Sequence, residues 1–168
     1  LVNLYMGDAL RDVAVIGWAT VAFGLALYAC DRFGSMARRF GNLNASSALL
    51  IGLAQVLALI PGASRAGVTM SAARILGYDR RDAARFSMLL SIPTIIAAGA
   101  LAGVDLIASQ DVRLQSDAVM AAGLAFVTAY IAIAMMMRWL RNASFTPFVV
   151  YRIVIGVGLL AIAYAGVD

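Results

Sequence analysis

The sequence predicts an all-α, polytopic integral membrane protein: about four spanning helices plus one re-entrant helix hairpin, forming a single membrane domain over residues 1–168. Three observations carry this. Of the 168 residues, 63% are hydrophobic and 13% charged, against roughly 45–50% and about 25% in an ordinary soluble domain. The charges stand between long uncharged runs. One apolar stretch is too short to cross a bilayer and is broken in its middle by Pro61-Gly62.

Val13 to Cys30 is 18 residues without a charge, Phe86 to Val104 is 19, and Ala118 to Met137 is 20. A hydrocarbon core takes about 20 helical residues, so each reads as a spanning helix. Pro93 lies inside the second and should kink it, neighbouring helices resatisfying the freed carbonyl. A fourth span runs from about Phe148 to Val167, with Arg152 near its start placed to snorkel toward the headgroups. Residues 46–77 differ. Ser47 to Ile60 is only 14 residues, and the stretch Gly67 to Gly77 after the break is shorter still. Two half-helices meeting at Pro61-Gly62-Ala63-Ser64-Arg65-Ala66-Gly67 predict a re-entrant hairpin, whose irregular tip survives at depth only against protein or a wet cavity.

Arginine placement agrees with that layout. Arg32, Arg38 and Arg39 precede the hairpin, and Arg80, Arg81 and Arg85 follow it. Re-entry puts both clusters on one side, which the positive-inside rule makes cytoplasmic. The loop Asp105 to Asp117 holds three aspartates against Arg113 alone and is expected outside. Arg138 and Arg141 return inside, and Asp168 ends outside.

The same composition excludes other classes. Cys30 is the only cysteine, so no disulfide forms within the chain. The net charge of +4 points to membrane orientation rather than nucleic acid, which needs a basic water-facing patch. The first apolar run is too long for a signal-peptide core and lacks a cleavage pattern. All 13 basic residues are arginine and all 9 acids aspartate. Chemistry needing histidine or glutamate must therefore find it outside this sequence.

Arg65 is the only charge between Phe40 and Ala73. Its insertion costs about 2.5–3.5 kcal/mol on biological scales, so something is expected to compensate it. One reading is an anion site: a guanidinium gripping phosphate, Ser64 and Thr69 as hydroxyl donors, Gly62 and Gly67 admitting the ligand to the backbone, and free amides of a helix starting near Gly67. The other is an arginine capping carbonyls of a second broken helix. Gln55 serves either as a ligand contact or as a link between helices. Ser87 and Ser91, one turn apart, read as interhelical glue. Gly99 and Gly103 form a GxxxG spacing suited to close packing or a homo-oligomer. Met135-Met136-Met137 reads as bulk facing lipid or neighbours, and Asp79 as a helix N-cap. No aspartate pair has metal-ligand spacing.

Gln55 to Thr69, with Pro61-Gly62-Ala63-Ser64-Arg65-Ala66-Gly67-Val68-Thr69 at its end, closely resembles the second signature of the undecaprenyl-diphosphate phosphatases, or bacitracin resistance proteins, PGxSRSGxT. The likeness continues through residues 85–93 and 147–156, so it covers most of the chain in order. The resemblance implies a multi-pass enzyme of the bacterial inner membrane that hydrolyses undecaprenyl diphosphate to the monophosphate, recycling the lipid carrier of peptidoglycan synthesis. It also implies an inverted-repeat fold in which two re-entrant hairpins meet. Carried over by position, Arg65 and Ser64 are the diphosphate-binding arginine and its neighbouring serine, Thr69 is the motif threonine, and Pro61, Gly62 and Gly67 shape the loop.

Ala66 departs from the motif, which has a second serine there. The family's first hairpin, with its glutamate-rich motif and histidine, has no counterpart, so the chain is expected to be a C-terminal fragment or a lineage without the catalytic half. A divalent cation, Mg²⁺ or Ca²⁺, would then be held in the intact protein by ligands not in this chain. Ser64 either attacks phosphorus or only binds phosphate, and no base stands near it in sequence. Two other classes compete: a lipid-phosphate transporter, whose broken helices would hold the same anion, and an inactive membrane fragment.

Overall fold

The computed structural model describes residues 12–108 and 111–165. Among them are six α-helices: α1 (Val13–Phe33), α2 (Ala45–Ala54), α3 (Arg65–Ile75), α4 (Arg80–Ala108), α5 (Val112–Trp139) and α6 (Thr146–Ala165), with short 3₁₀ turns at Phe40–Asn42 and Gln55–Leu59. No strand is present among the described residues, and α1, α4, α5 and α6 are long and apolar enough to cross a membrane. Polar side chains start the helices, as side-chain capping of free amides requires. Asp12 accepts from the Ala14 amide, Asn44 from Ser47, Asp79 from Arg81, and Asp111 from Arg113 and Leu114. Asp79 is thus the N-cap of α4, as its sequence predicts.

The long helices overrun the uncharged stretches. Helix α4 continues through Pro93 to Ala108, and α5 begins at Val112, so most of the expected outer loop from 105 to 117 is helical. A charge ends a hydrophobic run without ending a helix, because helical hydrogen bonding continues into the interfacial region. Asp168 and the last two residues of the expected fourth span lie outside the described residues.

Helices α1 and α6 pack closest, crossing where both carry glycine. A Cβ on Gly156 would lie 2.6 Å from Val21 Cγ2 and 3.1 Å from the Gly17 carbonyl. Helix α3 packs against α1, α2 and α4. Apolar clusters lie around it, one built on Leu27, Met70, Ala84, Phe145 and Val149, the other on Ile51, Ala73, Tyr78 and Ala83. Helix α5 packs chiefly on α4 and has no buried residue.

The hairpin α2–α3 begins and ends at the same end of the bundle. Before it, Arg38 donates its amide to the Gly77 carbonyl (2.9 Å) and accepts from the Asp79 amide (3.0 Å). The two arginine clusters that flank it in sequence are therefore neighbours in space, with Arg85 over the Phe40 ring at 4.6 Å. A residue the sequence reading passed over ties this end together. Arg74 is fully buried and donates to four carbonyls, those of Asp31, Gly34, Ser35 and Tyr78, at 2.6–3.0 Å. Its Nε faces Asp31 Oδ1 at 3.3 Å, and the same oxygen accepts from Arg80 Nε at 2.6 Å. Asp31 Oδ2 accepts from the Phe145 amide just ahead of α6. One buried carboxylate and one buried guanidinium thus join α1, α3, α4 and the approach to α6.

Candidate functional site

The chain between the half-helices turns at Ile60, whose carbonyl accepts from the Ala63 amide. Gly62 has φ +90°, and a Cβ there would lie 2.5 Å from the Ile16 carbonyl and 2.9 Å from Thr20 Oγ1. Only glycine fits that conformation against α1. Ser64 follows with φ +64° and ψ 113°, the single non-glycine residue at positive φ among the described residues. Such a backbone costs about 1–3 kcal/mol and persists only where its surroundings enforce it. Its hydroxyl caps α3, accepting from the Gly67 amide at 3.3 Å. The helix therefore starts at Arg65 rather than near Gly67, because the serine cap recruits two more residues into the first turn.

Arg65 stands at the first position of α3, half-buried, and its guanidinium has no hydrogen-bond or ion-pair partner among the described residues. The amides of Arg65 and Ala66 have no acceptor within the helix, as first-turn amides never do. A cation at the positive end of a helix is disfavoured unless an anion joins it. Guanidinium, first-turn amides and the serine hydroxyl thus present donors and positive charge without a matching acceptor.

Beside the loop lies a cavity of about 380 Å³, lined at one side by Gly62, Ser64, Ala66 and Gly67 and otherwise mostly by apolar side chains including Met70, Met88, Met136, Phe148 and Ile155. Arg65 does not line it. The guanidinium in its wall is that of Arg152, from α6. The sequence predicts that Arg152 snorkels toward headgroups. Instead it turns inward, and its Nη2 donates to the carbonyls of Gly62 (2.6 Å) and Ala63 (3.0 Å). The close α1–α6 crossing directs it there, and the tip offers carbonyls that no helix satisfies. Carbonyl capping, one of the two roles considered for Arg65, belongs to Arg152. Its separation of 90 residues from Gly62 left no signal in the linear pattern.

The remaining predicted residues divide. Thr69 is buried; its hydroxyl donates to the Arg65 and Ala66 carbonyls and meets Ser87 Oγ at 2.7 Å. Ser87 is thus glue between α3 and α4, whereas Ser91 bonds within its own helix to the Met88 carbonyl. Thr69 does not line the cavity, and neither does Gln55, which starts the 3₁₀ turn half-buried. A Cβ on Gly99 or Gly103 would meet nothing within 4 Å, so the GxxxG pair packs against nothing described. Of the three consecutive methionines, Met135 is exposed while Met136 and Met137 pack on the core. No three His, Cys, Asp or Glu side chains converge among the described residues.

Compared with known proteins, the sequence matches the family described as Bacitracin resistance protein BacA over residues 1–158. The chain belongs to that family. Among relatives of this BacA-family chain are proteins named undecaprenyl-diphosphatase from Roseobacter denitrificans, 51% identical over 160 residues, and Ruegeria pomeroyi, 49% identical over 160. Each alignment covers 95% of this chain and 60% of the relative. Undecaprenyl-diphosphatase 1 of Rhodospirillum rubrum is 51% identical over 156 residues, covering 93% and 55%. The chain spans about 60% of the length of the relatives it matches. Its four long apolar helices and its family make it a multi-pass membrane protein.

Proposed function

We propose that this chain supplies the diphosphate-binding loop of an undecaprenyl-diphosphate phosphatase, a hydrolase that yields undecaprenyl phosphate and inorganic phosphate at the bacterial inner membrane. The observation that carries the reading is the unpartnered Arg65 guanidinium on the first turn of α3, next to a strained serine cap whose loop borders an apolar cavity. A polyprenyl diphosphate has the matching halves, a polyanion and an apolar chain. The names of the relatives favour hydrolysis over transport of the same lipid.

In this reading the Arg65 guanidinium and the amides of Arg65 and Ala66 bind the diphosphate and draw off charge that builds on the transferred phosphoryl group. Ser64 orients the phosphate through its hydroxyl, and Gly62 and Gly67 keep the backbone near it. Thr69 steadies the first turn of α3 through its hydroxyl bonds to the Arg65 and Ala66 carbonyls and to Ser87, and Gln55 stands half-buried at the head of the 3₁₀ turn that leads into the loop. The arginine-rich end of the bundle faces the cytoplasm. The residues present do not fit a divalent cation: no carboxylate lines the cavity, and the charged groups flanking the tip are both guanidiniums.

The test uses the protein expressed with whatever its gene encodes on either side, purified in detergent and assayed for phosphate release from undecaprenyl diphosphate. Arg65→Ala is expected to lose at least about 10²-fold in turnover, the scale for removing a donor to developing charge. Arg138→Ala, at the far end of α5, is expected to retain wild-type rate. Equal activity of the two variants would refute the assignment.

A further inference from the structure

We infer that Arg152 is a positioning residue that holds the Gly62–Ser64 backbone in the form the diphosphate site requires; the inference rests on the reading that this loop binds the diphosphate. Two hydrogen bonds carry it. Its Nη2 bridges two consecutive carbonyls, those of Gly62 and Ala63, immediately before Ser64, the one non-glycine residue at positive φ among the described residues. Ala63 is fully buried, so with Arg152 in place its carbonyl has no access to water.

The side chain passes close to two glycines. Its Cβ lies 3.4 Å from where a Cβ of Gly24 on α1 would stand, and Nη1 lies 3.1 Å from the corresponding point on Gly67. A side chain at position 67 would crowd the guanidinium, whereas one at position 24 would make ordinary contact with its stem. Arg152 Nε is buried without a partner, a cost that a merely space-filling residue would not carry.

Lysine does not substitute for this geometry. A guanidinium places planar donors at fixed angles on adjacent carbonyls, whereas an ammonium is a compact point charge on a shorter reach. Loss of the bridge frees the Ala63 carbonyl and leaves that of Gly62 with only the longer bond from Thr20 Oγ1 (3.4 Å), and the φ of +64° at Ser64 then has less to maintain it. The helix cap and the amides beyond it shift with it. A displacement near 1 Å at a reacting centre costs roughly 10²-fold in rate, so the effect belongs in kcat more than in KM.

The experiment compares wild type with Arg152→Met, Arg152→Lys, Arg152→Ala, Gly67→Ala and the double variant Gly67→Ala/Arg152→Met, in the protein with its native flanks. Amide hydrogen exchange is read in nanodiscs, and phosphate release from undecaprenyl diphosphate in detergent. Arg152→Met is expected to speed exchange in a peptide covering residues 60–68 while leaving one covering 31–38 unchanged, and to lower kcat roughly 10²-fold with a smaller change in KM. Arg152→Lys should fall between, and added guanidinium should restore part of the Arg152→Ala rate.

Gly67→Ala, which helix propensity alone would favour by about 1 kcal/mol, should instead lower kcat, and should lower it no further once Arg152 is Met. Unchanged exchange over 60–68 in Arg152→Met overturns the inference whatever the activity. So does a wild-type kcat in Arg152→Lys, which decides the matter should Arg152→Met fail to fold. Absence of turnover in the wild type would instead count against the diphosphatase reading, leaving exchange to judge Arg152.

Discussion

Replacing Asp31 with asparagine keeps the shape of the side chain and removes one charge, which makes it a direct probe of the clamp that closes the arginine-rich end. Asp31 is 5% exposed and Arg74 0%, so the change strands a buried guanidinium. Breaking a buried pair by deleting one partner costs about 3–5 kcal/mol. Arg74 keeps its four carbonyl acceptors, which places the cost near the lower bound, about 3 kcal/mol. The asparagine amide also faces the Phe145 amide, so either that hydrogen bond or the one from Arg80 weakens. At 2–4 °C per kcal/mol for a chain of this size, the melting temperature should fall by roughly 6–12 °C. Tryptophan fluorescence or circular dichroism during a thermal ramp in detergent reads it. Arg80→Gln is the control: Arg80 is 25% exposed, and its loss should cost less than about 1 kcal/mol. An Asp31→Asn protein melting with the wild type, or an Arg80→Gln protein melting as early as Asp31→Asn, would refute the argument that burial sets the cost.

Thr69→Val should lower stability by about 1–2 kcal/mol, because Ser87 loses its buried partner, while KM for undecaprenyl diphosphate stays unchanged. A raised KM at unchanged stability would return Thr69 to the ligand site. Gly156→Ala should destabilise the α1–α6 crossing, where its Cβ would stand 2.6 Å from Val21, and lower the yield of folded protein. Gly99→Ala, in open space, should be neutral or stabilise α4 by up to about 1 kcal/mol. Loss of a crosslinkable dimer in Gly99→Ala would instead place a second copy on that face.

Much of the hairpin was legible beforehand because it is a local matter. Pro61-Gly62 cannot continue a helix, and a single charge in an apolar stretch marks itself. The exact start of α3 was less legible. A gap of three residues from Ser64 to Gly67 is compatible with either a loop or a cap, and only the observed hydrogen bond decides which. Arg74 falls inside the second half-helix, where nothing in the linear pattern marks it, although it is among the most buried side chains described. From sequence alone Arg152 reads as a snorkelling residue, because a lone arginine near a helix end usually reaches outward. Thr69 carries the motif's hydroxyl, but Ser87, eighteen positions away, holds it.

The order of apolar runs, breaks and charges determined by itself that this chain is helical, crosses a membrane several times and carries a cationic loop at a broken helix. Hydrophobic length and the cost of unsatisfied backbone in lipid act on consecutive residues, and consecutive residues are what a sequence displays. Which guanidinium grips carbonyls and which is left without a partner was decided only in three dimensions. Arg65 and Arg152 carry the same group, and their surroundings separate them because α6 crosses α1 at glycines and delivers Arg152 to the backbone of the tip, while Arg65 stands half-buried on the first turn of its helix, behind a serine cap and without a partner among the described residues.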